Sequence, residues 1–225
     1  MPAEIFGFEM DVSRLNWCLR NNDADPRSYA GAAKLAEDLG YAGMYSVEGT
    51  SRASLPHLLT GNVRSALVNS AAAILSTNRI KIGTSIISMY SRTPLAVAME
   101  SMTLNEMSGG RFVLGVGTGG PWLVQNGYGY PLERPATRMK EFLTIFKSAA
   151  SGDETKLDGE FFKVSTIKLG KISPRPKVLM AGINPAVLRT GGALADGVIL
   201  NMYPLKALPF ARKYINEGAE KAGRD

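Results

Sequence analysis

Residues 79–120 read RIKIGTSIISMYSRTPLAVAMESMTLNEMSGGRFVLGVGTGG, and the fold turns on this stretch. Two β-rich runs, Arg79–Ile87 and Arg111–Val116, flank an amphipathic segment that Pro94 opens and Gly109-Gly110 closes. Proline in a first turn and glycine just past an end are helix start and stop signals. The order is therefore strand, helix, strand, and both strands run out into Gly, Ser and Thr. In a parallel βαβ unit the functional loops lie at the carboxyl ends of the strands. Small residues there allow a ligand to approach the backbone, so a site is expected at these two strand ends.

Gly115, Gly117 and Gly120 match G-x-G-x-x-G in form. A dinucleotide fingerprint passes straight into a helix and meets an acidic residue about 20 positions later. Here Pro121-Trp122 follows, then the loop NGYGYPLERP (126–135), with the next helix expected near Ala136. Context argues against a dinucleotide site. A structural glycine turn and a backbone-lined ligand loop remain, and the small strand ends favour the loop.

The same alternation extends outward. Glu4–Glu9 reads as a first strand, Pro26–Leu39 as a helix stopped by Gly40, and Tyr41–Val47 as a second strand ending at Glu48-Gly49. A helix near Asn62–Ser76 precedes the central unit, and Ala136–Ala149 follows it, with Phe142, Ile145, Phe146 and Ala149 spaced for burial. Residues 151–176 break the rhythm with hairpin character and a tight turn at Asp158-Gly159. Lys177–Ala181, a helix from Pro185, Gly197–Asn201 and a helix over Leu205–Ala222 complete the pattern. Repeated strand–helix units imply a parallel sheet, open or barrel-like. A complete eight-fold barrel takes about 250 residues, and only about six of eight units fit here.

At 225 residues the chain suits one domain, 1–225, with a sizeable core. The net charge of +6 comes from scattered Lys and Arg, which argues against a nucleic-acid footprint and suits an anionic cofactor or substrate. The single cysteine, Cys18, excludes an internal disulfide and carries no metal motif. MPAEIFGFEM lacks a basic segment followed by an apolar one, and there is no 18-residue apolar run, so no membrane span is expected and a cytoplasmic protein is. Six units leave two strand edges to be covered, and exposed edges invite pairing. Together with the Ala/Met-rich faces over Val63–Leu75 and Leu95–Met107, this predicts a homodimer or larger homo-oligomer.

The run 83–120, with MAGINPAVLRTGGALADGVILN (180–201) and EGAEKAGRD (217–225), resembles the bacterial-luciferase-like superfamily, most closely its branch using the deazaflavin coenzyme F420. The resemblance implies an α/β fold of the TIM-type (β/α) barrel kind, incomplete here, with a hairpin-like insertion before strand five; family members continue with two further strands and helices. It also implies site residues. A non-prolyl cis peptide is expected at Ser85–Ile86, bulging against the cofactor ring. Ser88 matches a cofactor-contacting hydroxyl, Thr118 and Gly119 a loop donating backbone groups, and Ala181 and Gly182, with Asn184 and Pro185, a second cofactor loop. Asn201 falls at a further pocket position.

Departures narrow the reading. Sugar-phosphate dehydrogenases of the branch carry Asp-His where this chain has Glu48-Gly49, a Glu where it has Gly120, and a Lys where it has Pro204. That argues against sugar-phosphate oxidation. Methylene-tetrahydromethanopterin reductases resemble the chain better, through Tyr90-Ser91-Arg92-Thr93-Pro94, with Arg92 either a contact for an acidic substrate or a solvated cation before the helix. Glu48 is the candidate catalytic and cofactor-binding carboxylate, and His57, the only histidine, is either a second acid–base group reaching the pocket or, as its loop position favours, a surface or helix-start histidine. The expected function is hydride transfer between coenzyme F420 and a small organic substrate. The alternatives are an FMN-dependent luciferase-like monooxygenase and a shortened, non-catalytic flavin-binding relative.

Overall fold

The computed structural model describes residues 3–5, 8–10, 16–19, 25–48, 64–201 and 203–224. Within it the stretch 79–120 is strand, helix, strand: β5 (Lys81–Thr84) and β6 (Ile87–Ser88), α3 (Pro94–Met107), then β7 (Phe112–Gly117). Thr93 caps α3 by accepting the Ala96 N–H at 3.3 Å. Gly109 and Gly110 end it with φ of +64° and +88°, a region costly for residues with a Cβ.

Before this unit come β1 (Ala3–Ile5), β2 (Phe8–Met10), β3 (Asn16–Leu19), α1 (Pro26–Asp38), β4 (Gly43–Ser46) and α2 (Ala66–Ser76). After it come α4 (Pro135–Ala150), β8 (Thr155–Asp158), β9 (Lys163–Ile167), β10 (Lys177–Ala181), α5 (Pro185–Leu194), β11 (Gly197–Ile199) and α6 (Leu208–Lys221). The main sheet runs β3-β4-β5-β7-β10-β11, every pair parallel, with β6 also on β7. Consecutive helices pack on one another in the same order, α1 on α2 through α5 on α6. A doubly wound sheet reverses its strand order at a switch point. This one never reverses, so it is an arc of a TIM-type barrel, unclosed between β3 and β11 among the described residues. All six residues of β7 are buried, as a central strand covered on both faces requires. None of the described helices is long and apolar enough to cross a membrane.

Two local expectations are corrected. Glu4–Glu9 is not one strand but falls in an antiparallel pair, β1 with β2, in register Ile5↔Phe8. The first strand of the parallel sheet is instead Asn16–Leu19, a four-residue run too short to show a period. The hairpin before β10 is present, but its turn lies at Gly159–Phe162, where Gly159 N–H donates to Phe162 O at 2.9 Å. A tertiary contact sets it: the Glu141 carboxylate on α4 accepts the N–H groups of Glu160, Phe161 and Phe162 at 2.9, 2.9 and 3.1 Å.

At the amino end of β5 two opposite charges grip the incoming loop. The Glu37 carboxylate, at the end of α1, accepts the N–H groups of Asn78, Arg79 and Ile80 at 2.9, 2.6 and 3.0 Å. Arg111, at the start of β7, donates to Ile80 O at 2.7 Å and Thr77 O at 2.9 Å. Glu37 is 4% exposed. Burial alone would raise its pKa, but the three N–H donors outweigh burial and hold it below the usual carboxylate value of 4.5. A depressed folded-state pKa contributes stability that is present above the unfolded value and lost as pH falls through the folded one. Glu37→Ala is therefore expected to cost about 1–3 kcal/mol at pH 7, because it leaves buried donors unpaired. In urea unfolding, the gap between wild type and variant should narrow as pH drops below about 4.5.

Candidate functional site

β5 leaves β7 after Gly83↔Val113, and the ladder resumes only at Ile87↔Val116 through β6. Across the gap the Thr84 hydroxyl replaces the backbone: it donates to Gly115 O at 2.7 Å and accepts Gly115 N–H at 2.9 Å. The residues pushed out of line are Ser85 and Ile86, joined by the non-prolyl cis peptide that the family resemblance implied. Ser85 N–H donates to Ser46 O at 2.8 Å and Glu48 N–H to Ile86 O at 3.1 Å, so the end of β4 holds the excursion on its other side. The β7 glycines supply clearance. A Cβ on Gly115 would stand 2.0 Å from Thr84 O, and one on Gly117 2.6 Å from Ile86 Cδ1. The glycine spacing that imitates a dinucleotide fingerprint is thus the footprint of this excursion.

A cavity of about 750 Å³ opens at the carboxyl ends of the strands. It gathers Glu48, Ile86, Thr118, Gly119, Ala181 and Gly182 from four separate loops, with Asn184 and Asn201 beside them. Two candidates do not line it. Ser85 spends its N–H on β4. Ser88 is 2% exposed; its hydroxyl donates to Thr118 O at 2.7 Å and accepts the Tyr90 N–H at 3.2 Å, bracing the Thr118–Gly119 loop from behind. His57 and Gly49 lie outside the described residues. Trp122 and Leu123 also line the cavity, and sequence reasoning missed them. The chain does turn helical directly after Gly120, ending in a π-helical turn at Leu123–Gly127. The one available signal was Pro121, a start residue for a segment too short to show periodicity.

Glu48 is the single titratable side chain lining this cavity among the described residues. Both its oxygens are engaged: Arg92 donates to them at 2.7 and 3.1 Å, and Ala66 N–H, at the start of α2, donates at 3.1 Å. Arg92 also donates to the Ser91 and Ser65 hydroxyls at 3.0 and 3.2 Å. The reading of Arg92 as a solvated cation fails, since its fork is spent bidentately inside the protein. Its hydrogen bonds to Glu48 raise its pKa against burial. Nearby, burial raises Glu100, with Arg92 pulling it back and Glu48 adding to the rise, and burial with the Glu48 charge raises Tyr128. At the far wall Asn184 caps α5 by accepting Val187 N–H at 2.9 Å, and Gly182 N–H donates to Ile199 O at 3.3 Å.

An arc of parallel strands whose loops build one glycine-lined cavity, with a two-residue excursion from the third sheet strand forming one wall, defines the class: an α/β protein of the barrel type. The chain belongs to the luciferase-like monooxygenase family, whose model matches residues 13–225. It is 32% identical over 193 residues to a 5,10-methylenetetrahydromethanopterin reductase of Methanolobus tindarius, covering 86% of this chain and 56% of that protein. It is 33% identical over 191 residues to the 5,10-methylenetetrahydromethanopterin reductase of Archaeoglobus fulgidus, covering 85% and 54%. Among solved structures, the coenzyme F420-dependent tetrahydromethanopterin reductase of Methanopyrus kandleri superposes with a TM-score of 0.78 at 27% identity, covering 94% of this chain and 62% of that one. The chain thus spans just over half the length of these curated relatives.

The Glu48–Arg92 pair is the structural keystone of the rim. Arg92→Met should cost about 1–3 kcal/mol, because it strands a partly buried carboxylate. Lys34→Ala, which removes an exposed i,i+4 pair with Asp38, should change stability by less than about 0.5 kcal/mol. Chemical unfolding of the two variants side by side measures the contrast.

Proposed function

We propose that this chain forms the coenzyme-binding part of an F420-dependent oxidoreductase that moves hydride between the coenzyme and a small organic substrate of the methylene-tetrahydromethanopterin kind. The observation that carries the reading is the Ser85–Ile86 excursion, which presents Ile86 to a cavity that small residues also line, Thr118–Gly120 from one loop and Ala181–Gly182 from another. The residues suit a flat ring system. A Cβ on Gly120 would project into open space of the cavity, and Gly119 takes φ of +83°, so the loop offers main chain where other residues would offer bulk. The coenzyme F420-dependent reductase that superposes on the chain, 27% identical, supports the choice of coenzyme.

When bound, the coenzyme supplies the hydride-transfer chemistry. Ile86 and the Thr118–Gly119 loop, braced by Ser88, would hold the group, the loop by its main chain. The amino end of α5, although Asn184 already takes its Val187 N–H, carries the positive end of the helix dipole and suits an anionic tail. Glu48, fixed by Arg92, holds the rim at the ring without being free to swing. Gly120 brings no acid or base to the place where relatives put a glutamate. Orientation therefore carries the rate, as alignment alone can do for a transfer needing no proton shuttle.

The test is titration of the purified chain with F420 and with FMN, followed by fluorescence. F420 should bind at least tenfold tighter than FMN; equal or tighter FMN binding rejects the deazaflavin reading. Gly117→Ala, by driving a methyl into Ile86, should weaken F420 binding by about tenfold or more, roughly 1.4 kcal/mol.

We also propose that α2 and α3 pair between two copies of the chain. Their outer surfaces leave Val68, Leu75, Met99 and Met107 between 43% and 77% exposed. Light scattering at micromolar concentration should give twice the chain mass, and Leu75→Lys with Met99→Lys should return it to the single-chain mass.

A further inference from the structure

Beyond the main cavity, on the other side of the Glu48–Arg92 pair, lies a second one of about 220 Å³. It is lined by Tyr90, Ser91, Arg92, Tyr130, Arg138 and Phe162, among others. Arg92 faces this cavity, while the Glu48 that holds it faces the main one, so the ion pair is the partition between the two.

The charges around this cavity do not cancel. Arg92 is neutralised by Glu48, and Arg134 by Glu160. Arg138, on α4, has no carboxylate partner among the described residues. It is enclosed by rings instead: its guanidinium carbon lies 4.5 Å from the Phe161 ring centre, 4.7 Å from Tyr90, 5.3 Å from Phe162 and 5.6 Å from Tyr130. Its Nε is buried and donates to nothing. The Tyr90 hydroxyl, on a side chain only 5% exposed, is also buried without a hydrogen-bond partner. Burial raises the Tyr90 phenol; the Arg138 charge opposes the rise and Glu133 adds to it, so the hydroxyl stays a neutral donor near pH 7.

Two orphaned donors, enclosed on residues that line one small cavity and one of them part of a planar cation, are a costly arrangement for a purely structural wall. They suit an anion, since an arginine fork matches a carboxylate or phosphate bidentately. The architecture invests in the arrangement. The β8–β9 hairpin is an excursion from the strand–helix rhythm, and Glu141 grips its tip by three N–H groups in the place that sets Phe161 and Phe162 against Arg138.

We propose that this cavity is an anion subsite, in which Arg138 and the Tyr90 hydroxyl bind a carboxylate or phosphate group. Its volume equals about seven water molecules at roughly 30 Å³ each, which admits a small anion or the anionic end of a longer ligand and excludes a second coenzyme. The proposal stands apart from the identity of the coenzyme, because it concerns a different cavity.

The test uses the purified chain without coenzyme, titrated separately with inorganic phosphate and with glutarate, while the Arg Nε–H resonances are followed by NMR. The Arg138 signal, assigned by its loss in Arg138→Lys, should shift saturably with an apparent Kd in the millimolar range. Tyr90→Phe, which removes one oxygen and keeps the ring stack, should weaken binding about tenfold with little change in Tm. Arg138→Lys, which lacks the reporting resonance and is therefore followed by titration calorimetry, should weaken it further. If neither anion shifts the Arg138 signal, or if Tyr90→Phe and Arg138→Lys bind as wild type does, the cage is a structural clamp for the hairpin and the proposal falls. Repeating the titration with the chain saturated by whichever of F420 and FMN it binds identifies the source of the anion. Lost binding assigns the subsite to an anionic arm of the main-cavity ligand, and unchanged binding assigns it to a free anion.

Discussion

A single hydroxyl stands in for a missing piece of β-ladder, and the site is arranged around that substitution. Thr84 satisfies both backbone groups of Gly115, so β5 can leave the sheet for two residues without stranding β7. Buried backbone groups left unpaired would cost more than such a detour could recover. The detour also needs room, which Gly115 and Gly117 provide by lacking a Cβ. Threonine, the two glycines and the Ser85–Ile86 excursion form one device spread over two strands, and its product is a wall of the cavity made by Ile86.

The rest of the molecule holds that device in place from opposite ends. At the amino end of the sheet, Glu37 and Arg111 grip the N–H and C=O groups of the loop entering β5, fixing where the strand begins. At the carboxyl end, the Glu48–Arg92 pair ties the end of β4 to the loop before α3 and to the start of α2. Both are charged groups satisfied by several partners in partly buried surroundings, where such bonds are stronger than on the surface. The strict order of parallel strands then brings the loops after β4, β5, β7, β10 and β11 to the same mouth.

Much of the architecture was legible from the chain alone. Pro94, Gly109-Gly110 and the flanking β-rich runs marked the central unit, because capping and β-branching are local effects that the residues carry with them. The repetition of that unit indicated a parallel sheet, and the family resemblance selected a barrel arc. It also pointed to Glu48, Ile86, Thr118, Gly119, Ala181 and Gly182, which the fold gathers around one cavity.

What only the tertiary structure decided depends on residues far apart in the chain. No spacing rule announces that Arg92 will be consumed by Glu48, that Ser88 will brace a loop instead of facing the cavity, or that Glu141 will move the hairpin turn to Gly159–Phe162. The Arg138 cage draws on α3's leading loop, the loop before α4 and the hairpin at once. Local sequence determined which segments became strands and helices, since those preferences act over a few residues. The partners of the charged side chains were set by packing, because a side chain's cheapest counter-charge is whichever one the assembled fold places within reach.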